Sequence, residues 1–341
     1  MKKIIFYIVC CLIATTQHIH AVEENGKVFL QHAGIITKIF TGDELQKAID
    51  AAEEEDTLFL SKGVFQNENQ DLTINKSICI IGSGVNEVHK DNSTVISNSL
   101  YIKQTNNNTI SSVIIEGVSL EYNNYFDSNI DNLIVKQCNL YNFAGPSENY
   151  GSSDYSYIKN VTLDRCNISY LTIYNDILDF TAKNCKILNF KCSNTATKAS
   201  NKLINCNIRQ VARNIRNSIF VNSIINEVGN GTSESIGEER DVTLVNTLYH
   251  VLNGFNPMEN ATQQDCWSTT DITIDSSTKS TMTAEQLKTA GYLGVDGTVV
   301  GIEGGANPYT LTLHSPSINS NSATVDQSSK KVTINVNVTA N

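Results

Sequence analysis

Proline is scarce in this chain, with 4 in 341 residues, and so are methionine at 3 and tryptophan at 1. So few prolines exclude a proline-rich linker or a collagen-like repeat. Charge is also sparse, at 18% of residues, and positive charge is the scarcer sign: 25 Lys plus Arg stand against 35 Asp plus Glu, a net charge of -10. A nucleic-acid binder needs a basic surface, so that class is set aside. Beyond residue 14 no apolar run approaches the length of a membrane span, so no span is expected. Missing too are CxxC pairs, an HExxH and a GxSxG elbow, which removes zinc-ribbon, thioredoxin-like, zincin and α/β-hydrolase chemistry.

What is present begins with an export pattern. Lys2 and Lys3 precede an apolar run from Ile4 to Ala14, and Ala21 supplies a small-residue cleavage site, so residues 1–21 read as a secretory signal. The expected location is extracellular, cell-surface or periplasmic. Cys10 and Cys11 follow Val9 and Cys10 rather than a small residue, which departs from a lipid-anchoring site. Cys79, Cys138, Cys166, Cys185, Cys192, Cys206 and Cys266 remain, an odd number that cannot pair completely.

Four of these cysteines mark a repeat. NLIVKQCNLYNF around Cys138, NVTLDRCNISYL around Cys166, DFTAKNCKILNF around Cys185 and SNKLINCNIRQV around Cys206 share one pattern: apolar, x, apolar, x, x, Cys, x, apolar, x, x, apolar. Val118, Ser223 and Thr247 occupy the cysteine position in further copies, and Ser77 in LTINKSICIIG is read as an earlier one. From Val118 to Thr247 successive anchors lie 17 to 28 residues apart, the length of one solenoid coil. Period-two alternation on both sides of a two-residue break predicts two short strands joined by a tight turn. Gly117, Asn184, Asn205, Asn222 and Asn246 precede the anchor, and Gly and Asn enter the left-handed region cheaply; Gln137 and Arg165 are the exceptions. This column is expected to stack as an Asn ladder. The anchors themselves should point inward about 4.8 Å apart, as buried reduced thiols in preference to disulfides, because their Cβ vectors run parallel.

The fold expected is therefore all-β, a single-stranded right-handed parallel β-helix with an N-terminal capping helix and a C-terminal β-hairpin cap. An N-terminal cap covers 22–60, with a helix over 42–54 opened by the capping box Thr41/Glu44; coils cover 61–280, and a C-terminal cap covers 281–341. There Thr283-Ala-Glu-Gln286 opens a short helix, and Val332, Ile334, Val336 and Val338 alternate with polar residues in a strand expected to pair with Ser322 to Asp326.

The order helix, strand, Gly63 turn, strand, coil and Gly82-Ser-Gly84 resembles the opening of the pectin-lyase-like parallel β-helix superfamily. The run GIEGGANPYTL from Gly301 and the closing strand resemble secreted β-helix proteins of gut Gram-negative bacteria. The resemblance implies architecture over almost the whole mature chain. It does not supply a reaction: the hydrolase pattern of an adjacent Asp pair, Gly-His-Gly and Arg-x-Lys is absent, as is the pectate-lyase Arg-x-Pro-x-x-Arg.

Two clusters stand out as candidate sites. Arg209, Arg213 and Arg216 form a local positive patch that would hold a sugar carboxylate, or supply the base and neutralising group of a β-eliminating lyase; paired with Glu227, Glu238 or Glu239 they are an ordinary outward face. Tyr150, Tyr155 and Tyr157 lie in the longest coil step, where loop tyrosines either stack on pyranose rings or anchor the loop; Tyr122, Tyr125 and Tyr141 come from nearby coils. No cofactor is expected, and calcium enters only with the lyase alternative, because Asp127/Asp131, Asp176/Asp179 and Asp271/Asp275 are too few oxygens for it alone. The reading is a non-catalytic exported module that binds polysaccharide or a cell-surface glycan. The alternatives are a polysaccharide lyase or glycoside hydrolase, and a purely structural or adhesive solenoid.

Overall fold

A computed structural model describes residues 26–67, 70–85, 93–103, 109–126, 130–145, 158–173, 177–192, 201–212, 214–229, 235–237, 240–251, 255–311 and the strands 317–326 and 331–339. The signal-like residues 1–21 lie outside them. The chain is a parallel β-solenoid of about 8 turns. Two 12-stranded sheets run its length. Each coil contributes a strand to the first sheet, turns, and contributes the next strand to the second.

The repeat dictates this coil. In the Cys138 coil, Leu133, Val135, Cys138, Leu140 and Phe143 are all buried, and the residues between them face out. Parallel register then stacks like on like: Ile115, Val135, Leu163, Ala182, Leu203, Phe220 and Leu244 form one column. Leu120, Leu140, Ile168, Ile187, Ile208 and Ile225 form another. Each such side chain contributes about 1.5–3 kcal/mol gross on burial, and a Leu140→Ala change would cost about 2–5 kcal/mol.

The residue before the anchor is left-handed in every one of these coils. Gly117, Asn184, Asn205, Asn222 and Asn246 have φ between 46° and 67°, and so do Gln137 at 48° and Arg165 at 54°. The two exceptions obey the backbone rule because main-chain bonds to the next coil fix them: Gln137 N donates to Asp164 O at 2.9 Å and Arg165 N to Lys183 O at 2.9 Å.

Two expectations are corrected. Ile81 pairs with Glu116, so the turn of that coil is Gly82-Ser83-Gly84 and Ser77 sits at the opposite end of the strand Cys79–Ile81, not in the anchor column. Ser77 instead offers its Oγ to the main-chain N of Ser111 and Ser112. The ladder of amides also forms two positions later than expected, at the residue after the anchor: Asn167 donates to Asn139 Oδ1 at 3.0 Å, and Asn139 donates to Ser119 Oγ at 3.3 Å.

The amides before the anchor serve a different partner, the segment from Ile272 to Leu311, which lies along the coil turns. Asn222 O accepts from Gly301 N at 2.7 Å, Asn222 Oδ1 accepts from Val295 N at 3.1 Å, and Asn184 donates to Gly304 O at 2.8 Å. Gln137 donates to Thr310 O at 3.3 Å, and the Lys186 ammonium stands 4.2 Å from the Tyr309 ring centre. Within this strap lies the expected short helix, Ala284–Thr289, opened by a capping box in which Thr283 N donates to Gln286 Oε1 at 2.8 Å. It carries its own small core, in which Ile272, Ile274, Leu287 and Val300 close over Ile224 and Leu248. Gly301 and Gly305 have φ of 84° and 77°, and a Cβ on either would collide with the side chain of Asn207 or Asn205. GIEGG is thus the sequence of a strap that must approach the turns closely.

At the N-terminal end an antiparallel hairpin, Lys27–His32 with Ile35–Thr41, continues the first sheet through Thr57–Leu60. The helix expected over 42–54 is a 3-10 turn Gly42–Glu44 followed by the helix Leu45–Ala51, which buries Leu45, Ala48 and Ile49. The C-terminal strands Ser317–Asp326 and Lys331–Thr339 pair antiparallel with each other, with Val325 opposite Val332 and Ala323 opposite Ile334.

Candidate functional site

The second strand of each coil has two outward residues in succession, the x-x of the repeat, between its inward positions. In three neighbouring coils this slot holds tyrosine: Tyr122, Tyr141 and Tyr170 are 54%, 50% and 40% exposed. Large aromatics on the outside of a sheet carry apolar area that folding leaves in water. Tyr141 and Tyr170 meet edge to face with centroids 5.6 Å apart. Beside them Asn142 donates to Asn123 Oδ1 at 2.9 Å and Asn189 donates to Ser169 O at 3.3 Å, so amides flank the rings. In the Tyr122 coil a bulge between Leu120 and Asn123 accommodates the extra outward residue. Asn124 faces inward there, where neighbouring coils place Phe143 and Leu171, and it donates to Tyr122 O at 2.7 Å and Asn142 O at 2.9 Å.

The same face runs into a cleft of about 380 Å³. Its floor is the ladder Ser119, Asn139 and Asn167, and its far wall is the strap's turn Ser276–Lys279. Tyr141 lies two residues after Asn139 on one strand, so both project from the same side of the sheet. The turn is held from within: Asp275 Oδ1 accepts from Ser277 N at 2.8 Å, Ser277 Oγ at 2.7 Å and Lys279 N at 3.0 Å. Those donors hold the Asp275 carboxyl below the usual carboxylate range, the Ser277 hydroxyl bond being the largest cause. Thr278 has φ of 59° and is buried, an unusual conformation for a β-branched residue.

The candidates read from the sequence fare differently. Tyr150, Tyr155, Tyr157 and Arg213 lie outside the described residues. Arg209 is on the strand Asn207–Val211 of the second sheet, whereas Arg216 precedes the strand Ser218–Val221 of the first. The expected patch is therefore split around a corner of the coil. Glu227 stands opposite Gln210, and among the described residues Arg209 is in no ion pair. Tyr125 turns away from the tyrosine slot to stack on Tyr101 at 5.0 Å. Asp131 pairs with Lys159 at 3.3 Å, and Asp127 and Asp176 fall outside the described residues. No three His, Cys, Asp or Glu side chains converge among the described residues. Ser83 sits in a turn, its Oγ 3.0 Å from Thr94 Oγ1. Among those residues no helix is long and apolar enough to cross a membrane.

The seven cysteines among the described residues are free thiols. Burial pushes those of Cys138, Cys166 and Cys185 far above the ordinary thiol range, and that of Cys79 to about 11. None of these four is a poised nucleophile. Tyr170 was not singled out from the sequence, although its signal was there: it occupies the same x-x slot as Tyr141. Comparison with known proteins gives no match to a family model, a curated protein or a solved structure.

Proposed function

We propose that this chain is a non-catalytic glycan-binding module that acts outside the cytoplasm and shares the pectin-lyase-like architecture. The observation that carries the proposal is the exposed row Tyr122, Tyr141 and Tyr170, contiguous with a cleft of hydroxyls and amides on a rigid sheet. Tyrosine offers a flat apolar face to the C–H side of a pyranose and a polar tip to its hydroxyls. Asn139, Asn167, Ser119 and Ser169 supply donors and acceptors at the rim of that face. Stacked coils repeat these groups about every 4.8 Å, so the binder suited to them is an extended chain lying along the solenoid axis. The leader over 1–21 supports export.

The non-catalytic part of the reading rests on what the face holds. Among the described residues that line the cleft, Glu121 is the one carboxylate and none is a histidine, so they hold no paired acid and base of a hydrolase. A lyase reading draws on Arg209, which the register sets beside Leu188 at one end of the cleft. Incubation of the purified protein with a panel of polysaccharides separates the two. Retention without new ultraviolet absorbance supports binding, and unsaturated uronate product would replace the proposal with a lyase acting through Arg209.

A further inference from the structure

The cleft beside the tyrosines has a chemistry of its own. The apolar part of its lining is Val85, Val95 and Leu188, and its other side is the turn Ser276–Lys279. Among the described residues its charges are one of each sign, Glu121 and Lys279. A polyanion would meet Glu121 and a polycation would meet Lys279, so the lining suits a neutral unit. The ladder also has a direction: Asn167 donates to Asn139 and Asn139 donates to Ser119, which leaves Asn167 Oδ1 as the acceptor at one end and the Ser119 hydroxyl at the other. At about 380 Å³ the cleft is of the size that encloses a small ligand.

We infer that this cleft is the subsite for a 2-acetamido sugar in the glycan bound by the tyrosine face. The acetamido N–H is a donor for Asn167 Oδ1, its carbonyl is an acceptor for a serine hydroxyl, and its methyl group needs an apolar contact, which Leu188 offers in the coil next to Asn167. A plain hexose would leave that contact unmade, and a free amino sugar would set an ammonium beside Lys279. The inference rests on the glycan-binding reading and adds the class of sugar.

The test uses isothermal titration of the full-length mature chain with N-acetylglucosamine oligosaccharides, their deacetylated counterparts and glucose oligosaccharides of equal length. The N-acetylated series is expected to bind about tenfold tighter or more than the other two. Asn167→Leu and Ser276→Trp, the second on an exposed turn outside the solenoid core, should each erase that preference while leaving the thermal transition in place. Equal binding of all three series by the wild-type chain would overturn the acetamido assignment and leave the glycan face standing. A preference that survives both substitutions would overturn the placement in this cleft. Retention of no glycan at all would overturn both readings.

Discussion

Cys138, Cys166, Cys185, Cys206, Ser223 and Thr247 each direct a side-chain hydrogen to the main-chain carbonyl two residues earlier and to a carbonyl of the preceding coil. The column therefore takes a small side chain and has carbonyls to receive a donor, which explains why Cys, Ser and Thr exchange within it, while Val118 fills the same position by size alone. Cys185→Ser should cost about 1 kcal/mol or less, whereas Cys185→Leu overfills the column and should cost about 1–3 kcal/mol, both read from urea denaturation. The left-handed column gives a second prediction at this scale. Arg165 at φ 54° pays a steric penalty that asparagine evades through its short side chain, so Arg165→Asn should raise stability by up to about 1 kcal/mol in the same assay. Column membership from Val118 to Thr247 was legible from spacing, whereas Ser77 was wrongly read into the column. The conformations of Gln137 and Arg165 were not, because hydrogen bonds to neighbouring coils override their own preference.

Among the elements, the strap changes the account of the chain most. Asn222 and Asn184 each combine a left-handed backbone with an amide that holds the strap, and replacement by glycine separates the two roles. Asn222→Gly keeps the turn and removes the bond to Val295 N; it should cost about 0.5–1.5 kcal/mol and speed amide exchange over 295–305 while the coil amides stay protected. The strap was hidden in the sequence because its contacts join residues as far apart as Gln137 and Thr310, and no local pattern records such a pairing. The first-coil register was hidden for another reason. Ile78, Cys79, Ile80 and Ile81 form a continuous apolar run that fits either register, and only the pairing of Ile80 with Ile115 chooses between them. The N-terminal hairpin adds a pH-dependent tie, since His32 Nδ1 lies 2.7 Å from Asp56 Oδ1 and 3.8 Å from Glu53. The hydrogen bond and charge of Asp56, then the charge of Glu53, raise the His32 pKa above its ordinary 6.5. The sign follows from linkage: this contribution is complete below the unfolded value and is lost as pH rises through the folded one. The melting temperature should therefore fall more steeply above about pH 6.5 in the wild type than in His32→Gln.

For the molecule as a whole, a solenoid converts a repeat in sequence into a row in space. That is why its architecture could be read before its site. Inward columns follow from alternation, but whether an outward slot matters depends on what neighbouring coils put beside it. Tyr122, Tyr141 and Tyr170 are 19 and 29 residues apart in the chain and become a row only because their coils are neighbours. Arg209 and Arg216 show the converse, since residues close in sequence fall on a strand of the second sheet and just before a strand of the first. The most direct test is to replace Tyr141 and Tyr170 together by serine, outward changes that leave every core column intact, and to titrate the glycan that the wild-type chain retains. A loss of about 1–3 kcal/mol for each ring stacked on the glycan is expected, at unchanged melting temperature, by analogy with other planar ligands. Binding that is unaffected by loss of both rings would contradict the central claim that this face is where the chain meets its ligand.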